Sequence, residues 1–311
     1  MIQERKGKVI KGLGGLFSIL ADDGEIILCR AKGALHRDEE KLLVGDTVKV
    51  TLDTAIKDSV VVSEILPRRN ALIRPPLANL DYLFITFAAK KPNPVLEVVD
   101  KLIAIANYNK IVPIVVITKQ DLSSECALEF AEIYNKAGVT SFITSAENGE
   151  GVEALLSYVN ENIRDGVTAA FAGASGVGKS TLMNALFPSL ALTTSEISRK
   201  IERGRHTTRH VELFSVNSHD GAQGFIADTP GFSLVDFARF DFFALEELEA
   251  TFPDISAYKG RCRFADCAHI GEGENECAVA KAAADGILPQ TRLDSYRGIY
   301  RILKEKKNSW D

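Results

Sequence analysis

At 311 residues the chain is longer than one ordinary core and points to two or three domains. Hydrophobic residues at 46% and charged residues at 25% are the proportions of a soluble globular protein, which excludes disordered, collagen-like and coiled-coil classes. A formal net charge of -5 argues against a protein that coats nucleic acid, while leaving room for local basic patches.

The first seventy residues read as short strands, GKVIKGLGGLFSIL, EIILCRAKG, DTVKVTLD and SVVVSEIL, separated by turn signals such as Asp23-Gly24 and Gly45-Asp46. That spacing predicts a small closed or partly closed β-barrel. The stretch PRRNALIRPP, residues 67–76, has three prolines and reads as a linker. From Asp81 onward, apolar runs of strand length (DYLFITFA, PIVVITK, VTSFITSA, TAAFAGA) alternate with helical stretches, the pattern of a parallel sheet buried by crossover helices. The last seventy residues lose the strand signal and read as helices around a cysteine-rich hinge. No run approaches 18 apolar residues and the start MIQERKGK lacks the features of a secretory signal, so a cytoplasmic protein without a membrane partner is expected.

The run Gly173, Ala174, Ser175, Gly176, Val177, Gly178, Lys179, Ser180, Thr181 follows one predicted strand and opens a helix, the context that G-x-x-x-x-G-K-[ST] requires. Its glycines permit a tight loop whose N–H groups surround phosphates, Lys179 would reach the β- and γ-phosphates, and Ser180 would ligate Mg²⁺. A ligand-free glycine turn is the competing reading, and the strand-loop-helix context argues against it. Upstream, one strand ends in Thr118-Lys119-Gln120-Asp121 and the next in Ser145-Ala146. A carboxylate placed like Asp121 can accept N1–H and the exocyclic amine of guanine, a donor pair adenine does not present. The stem of Lys119 would cover the base, and the Ser145-Ala146 turn would offer an N–H to guanine O6. Downstream, Asp228-Thr229-Pro230-Gly231 can hold Mg²⁺ through a water at Asp228 and sense the γ-phosphate at the Gly231 N–H. Between them lies the polar segment SRKIERGRHTTRH, where either Thr207 or Thr208 would complete the Mg²⁺ shell.

The base-reading pair at 118–146 precedes the phosphate-reading set at 173–231, the reverse of the usual GTPase order. The same sheet can be threaded either way, because the ends of compact domains often lie close together. Cys262, Cys267, His269 and Cys277 form C-x₄-C-x-H-x₇-C, enough for a closed tetrahedral structural zinc site. Three core cysteines with an incidental histidine would fit poorly among Gly260, Arg261, Arg263, Asp266, Gly271 and Glu272. Cys29 and Cys126 stand singly and read as small core residues.

With these motifs the chain resembles the circularly permuted GTPases of the RsgA (YjeQ) type, small-ribosomal-subunit biogenesis factors. The resemblance implies a multidomain α/β chain: an OB-fold β-barrel at 1–68, a circularly permuted P-loop GTPase domain at 69–240 and a helical zinc-binding domain at 241–311. It implies GTP/GDP, Mg²⁺ and one structural Zn²⁺ as ligands, and slow GTP hydrolysis stimulated by the 30S ribosomal subunit through contact with 16S rRNA. It also implies a checkpoint late in 30S maturation; a monomer is expected. Two departures stand out. Thr118 replaces the usual asparagine, removing an amide that would tie this loop to the phosphate loop, so retained guanine selectivity with looser binding is expected. The zinc ligands are also more widely spaced than in the common form. Phe232 occupies the place where many GTPases carry a water-orienting glutamine. His206, beside the switch threonines, is the nearest residue able to place the water, and the resemblance points to it as well.

Basic residues cluster at the switch (Arg199, Lys200, Arg203, Arg205, Arg209), beside the zinc ligands (Lys259, Arg261, Arg263) and on the last helix (Arg292, Arg297, Arg301, Lys304, Lys306, Lys307). Such runs are ordinarily solvated faces; three of them favour an extended RNA surface. The alternative from another class is a zinc-stapled rRNA-binding module in which GTP is only a conformational ligand. A small-molecule kinase is disfavoured because it would leave Thr118 to Asp121 without a purpose.

Overall fold

The computed structural model describes residues 2–31, 41–53, 59–188, 211–218, 220–228 and 236–308. They divide into two compact units. One holds the chain up to Tyr82, residues 158–171 and the strand pair at 212–228. The other holds residues 83–157, the chain from Ala172 to the end of the following helix, and the C-terminal region.

In the first unit five strands close a barrel: β1 (Ile2–Leu13), β2 (Leu16–Ala21), β3 (Ile26–Ala31), β4 (Thr47–Asp53) and β5 (Ser59–Ile65). The order is β1-β2-β3-β5-β4, and β4 pairs back to β1. β1 can serve both partners because it is long and its register shifts between Val9 and Lys11. At that corner a Cβ on Gly7 would sit 2.6 Å from the Leu20 carbonyl oxygen, so only glycine fits. Alternate residues fill the interior, among them Val9, Ile19, Ile27, Val48, Val50 and Val62. Cys29 lies in this core, where burial pushes its thiol up to about 11; Cys126 of the second unit is half-buried on its helix.

Residues 67–76 are not the loose linker their prolines predict. β6 (Ala71–Leu72) and β7 (Leu77–Ala78) pair as a short hairpin, and Leu72, Leu77 and Leu80 are buried. Arg68 donates twice to the buried carboxylate of Asp46, at 2.6 and 2.7 Å. Asn79 donates to the Gly45 carbonyl at 3.0 Å. Prolines break regular structure, yet they do not prevent a segment from packing when its apolar residues find a face to cover.

β11 (Thr168–Ala172), β12 (Glu212–Asn217) and β13 (Gln223–Asp228) extend this unit, with β11 parallel to β13 and β12 antiparallel to β13 and β1. Lys8 of β1 fixes the barrel to these strands. Its Nζ donates to Gly166 O at 2.6 Å and Thr168 Oγ1 at 2.9 Å, 4.4 Å from the Phe225 ring centroid. Burial lowers its pKa to about 8.

The second unit carries a sheet in the order β10-β9-β8, comprising β8 (Tyr82–Ala88), β9 (Val112–Thr118) and β10 (Ser141–Ile143), with β9 and β10 parallel. β8 and β9 are buried along most of their length, which is why they read as continuous apolar runs. Helices α1 (Leu96–Tyr108) and α2 (Ser124–Lys136) pack on this sheet; α3 (Val152–Asn162) begins in this unit and ends in the first, and α4 (Lys179–Leu186) follows the phosphate-loop sequence. The C-terminal region contributes α5 (Pro253–Ser256), α6 (Ala278–Ala284) and α7 (Gln290–Asn308).

Arg292 of α7 is fully buried between Asp100 of α1 (2.6 Å) and Asp254 of α5 (2.9 Å, bidentate), with Phe252 beneath it at 4.5 Å. Asn107 of α1 also donates to Thr251 O at 2.9 Å. Of the basic residues expected to share an outward face on the last helix, Arg292 is therefore internal, while Arg301, Lys304 and Lys307 are exposed. Arg297 donates to His269 O, Lys306 pairs with Asp241 at 2.7 Å, and Lys307 pairs with Glu246. Helical periodicity shows which residues share a face, not what that face meets.

Candidate nucleotide site and metal centre

β11 is buried at every position, and the chain leaves it directly into the phosphate loop. Gly173, at φ 157°, lies against β8, where a Cβ would stand 2.4 Å from Thr86 O. Gly176 and Gly178 take left-handed φ values of 80° and 92°, which glycine adopts without strain. Val177 is buried and anchors the loop, leaving Ala174, Ser175 and Gly176 exposed at its crest. α4 then begins at Lys179, with Ser180 half-buried and Thr181 exposed in its first turn. This strand, loop and helix N-terminus form an arrangement suited to phosphate oxygens.

The base-reading stretch lies against this loop. Thr118, buried at the end of β9, has its hydroxyl within hydrogen-bonding distance of two carbonyls, Val177 O at 2.5 Å and Phe87 O at 3.1 Å. Lys119, in the left-handed conformation at φ 56°, donates to Gly176 O at 2.6 Å and Lys91 O at 2.7 Å. The amide missing at Thr118 is matched here by its hydroxyl, which reaches the phosphate-loop backbone as a donor.

Asp121 is exposed, and its carboxylate accepts from the buried Ser145 hydroxyl at 2.6 Å. Gln120 closes the same corner, its N–H donating to Thr144 O and its side chain to Glu150 at 2.7 Å. Ser145 thus aims the carboxylate through its side chain, a role the sequence did not disclose, while the half-buried Ala146 follows in the same turn. The supports from Phe87, Lys91 and Glu150 were likewise unmarked by any motif. Asp228 closes β13. His206, Thr207, Thr208 and Gly231, with the basic residues of the switch, lie outside the described residues.

Cys262, Cys267, His269 and Cys277 converge, their ligand atoms all within 4.8 Å of one another. His269 Nδ1 stands 3.6, 3.5 and 3.3 Å from the sulfurs of Cys262, Cys267 and Cys277, and the Cys262 and Cys277 sulfurs are 3.9 Å apart. Sulfurs at about 2.3 Å and a nitrogen at about 2.0 Å from a tetrahedral centre stand roughly 3.5–3.8 Å apart, so the four fit one zinc ion. The Ala278 N–H donates to the Cys262 sulfur at 3.3 Å and the Ala280 N–H to the Cys277 sulfur at 3.4 Å, supporting thiolate charge at the start of α6. His269 is buried with φ 63°, and its carbonyl is held by Arg297 at 2.9 Å. Burial holds its imidazole below the usual value and pushes the Cys267 thiol up to about 12. The seven-residue spacer before Cys277 does not spread the ligands.

A phosphate loop after a buried strand, preceded in the chain by the loop that would read the base, defines a circularly permuted P-loop GTPase. Family comparison agrees. The RsgA GTPase family model matches residues 65–238 and the RsgA N-terminal domain model residues 6–59. Relatives named small ribosomal subunit biogenesis GTPase RsgA include those of Caldanaerobacter subterraneus subsp. tengcongensis, 39% identical over 97% of both chains, and Bacillus subtilis, 37% identical over 97% of this chain and 98% of that one. Two solved structures are similar. YloQ, described as a circularly permuted GTPase, is 33% identical with a TM-score of 0.74, covering 98% of this chain and 96% of that one. YjeQ from Thermotoga maritima is 31% identical with a TM-score of 0.76, covering 97% and 99%. The chain belongs to the RsgA GTPase family and is a GTP hydrolase.

Proposed function

We propose that this GTPase hydrolyses GTP in response to the 30S ribosomal subunit and assists late maturation of that subunit, in the cytoplasm and as a monomer. The relatives' name supports the setting. The observation that carries the nucleotide reading is the pair of hydrogen bonds from Thr118 and Lys119 to the phosphate-loop carbonyls, which brings base reader and phosphate reader to one place. Within it Asp121 reads the guanine edge, braced by Ser145, with Ala146 alongside and the Lys119 stem along the base. The backbone from Gly173 to Gly178 surrounds the phosphates while Lys179 offsets their charge. Ser180, one of Thr207 and Thr208, and, through a water, Asp228 are the residues that would hold Mg²⁺, which supplies charge neutralisation on the β- and γ-phosphates, with Thr181 beside the nucleotide. Gly231 senses the γ-phosphate and His206 places the attacking water.

The chain works as three domains, 1–68, 69–240 and 241–311, the last ordered by one zinc ion on Cys262, Cys267, His269 and Cys277. Contact with 16S rRNA falls to the exposed Lys259, Arg261 and Arg263 beside the exposed ring of Phe264, a combination suited to phosphates and an unstacked base. Among the described residues no helix is long and apolar enough to cross a membrane. Multiple-turnover phosphate release with and without purified 30S subunits tests the proposal. Turnover should rise with subunits, and His206→Ala should bind GTP yet lose the rise. Turnover indifferent to subunits would favour GTP as a conformational ligand only.

A further inference from the structure

β10 is the outer strand of the sheet in the second unit, and among the described residues no further strand pairs with it. Its pairing with β9 uses Thr140 O, Phe142 and Thr144 N, so the N–H and C=O groups of Ser141 and Ile143 point away from the sheet. Among the described residues the Ser141 N–H and C=O and the Ile143 N–H make no backbone hydrogen bond. The Ile143 carbonyl is covered by Gly151, where a Cβ would stand 2.0 Å away. A groove of about 690 Å³ runs along this edge, lined on its apolar side by Leu128, Ala131, Phe142, Ile143 and Ala154. Leu128 is 63% exposed beside this groove.

The charge around the groove is predominantly acidic. Glu132 lines it, Glu125 and Glu129 flank Leu128 on α2, and Glu150 and Glu153 flank the lining residues Gly151 and Ala154; all five are exposed. The cation among the lining residues, Lys136, is paired with Glu132 at 2.9 Å. Such a rim repels the phosphates of RNA and attracts lysine and arginine. Unpaired strand groups, apolar pockets for alternate side chains and acidic walls match a single occupant chemistry, an extended peptide with alternating apolar and basic residues.

We propose that the β10 edge is a docking site for a Lys/Arg-rich extended segment of a protein partner, which pairs with the Ser141 N–H and C=O and the Ile143 N–H and places apolar side chains against Leu128 and Phe142. Apart from Glu150, which also supports Gln120, the docking residues are distinct from those assigned to nucleotide and metal, and the variants that test it leave Glu150 in place.

Fluorescence anisotropy on the full chain tests it, with a blocked, fluorescein-labelled peptide of alternating valine and lysine as the probe. The lysine peptide should bind, and a glutamate counterpart, or a peptide N-methylated at alternate residues, should bind about tenfold more weakly. Ser141→Pro removes an outward N–H without touching the bonds to β9 and should weaken binding by a similar factor. The double variant Glu129→Lys, Glu132→Lys changes exposed side chains alone and should do the same, so a misfolded Ser141→Pro protein would not shelter the proposal. Absence of binding, equal binding of the N-methylated peptide, or displacement of the probe by a ten-residue oligouridine would overturn it.

Discussion

The nucleotide loops and the terminal helical region belong to the same unit and are held by contrasting contacts. Thr118 reaches the phosphate loop through one buried hydrogen bond to Val177 O, and Lys119 through one exposed hydrogen bond to Gly176 O. Arg292 is a guanidinium with 1% side-chain exposure, locked between carboxylates whose side chains are 1% and 5% exposed. Single neutral or exposed hydrogen bonds suit a site that admits and releases a ligand, whereas a permanent join between α1 and α7 can use a buried ion triad. Such a triad is costly to break because any partner left behind is an unpaired charge.

The contrast can be broken first at the metal. Replacing Cys277 with serine, or stripping zinc with a strong chelator, should unfold the region around α6 and α7, since structural zinc contributes on the order of 10 kcal/mol to such folds. Metal analysis should find one zinc per chain, and limited proteolysis should cut the C-terminal region only after metal removal. Next, Arg292→Met should cost about 3–5 kcal/mol in denaturant unfolding, because Asp100 and Asp254 lose their shared cation. Adding Asp100→Asn and Asp254→Asn should recover part of that loss; no recovery would mean the triad is not the source of stability. A smaller effect is expected at Thr118. Removing its hydroxyl in Thr118→Val should cost about 1 kcal/mol, roughly a fivefold loss of GDP affinity by calorimetry. Thr118→Ser should retain affinity, and Thr118→Asn, with two amide hydrogens for the two carbonyls, should equal or exceed it.

The gentlest test concerns Lys8. Its folded pKa lies near 8, below the ordinary 10.5, so between about pH 8 and 10.5 the unfolded chain binds a proton that the folded chain does not. Its contribution to stability should therefore rise with pH across that window. NMR of ¹³C-dimethylated lysines should show one signal with a midpoint near 8 that disappears in Lys8→Met.

What could be read in advance follows from how local each interaction is. The zinc ligands lie within 16 residues and the phosphate loop within nine, so their spacing alone constrains their geometry. The barrel and parallel sheet were legible because alternation and continuous apolar runs report which faces are buried. Arg292 was misread as part of an outward basic face because its partners lie 192 and 38 residues away, and no local pattern distinguishes a buried arginine from a solvated one. Thr118 shows a related limit: the residue type announced a lost amide, while the position of the Val177 carbonyl depends on the fold. Residues 67–76 show the same limit, since proline content describes backbone freedom and not the burial of Leu72 and Leu77.

The most direct measurement is a calorimetric comparison of GDP and ADP binding to the full chain in the presence of Mg²⁺, repeated for Asp121→Ala. Convergence of the two loops on one guanine nucleotide requires GDP to bind at least ~100-fold more tightly than ADP and the preference to vanish in the variant. Equal affinities in the unaltered protein, or a preference untouched by Asp121→Ala, would contradict it.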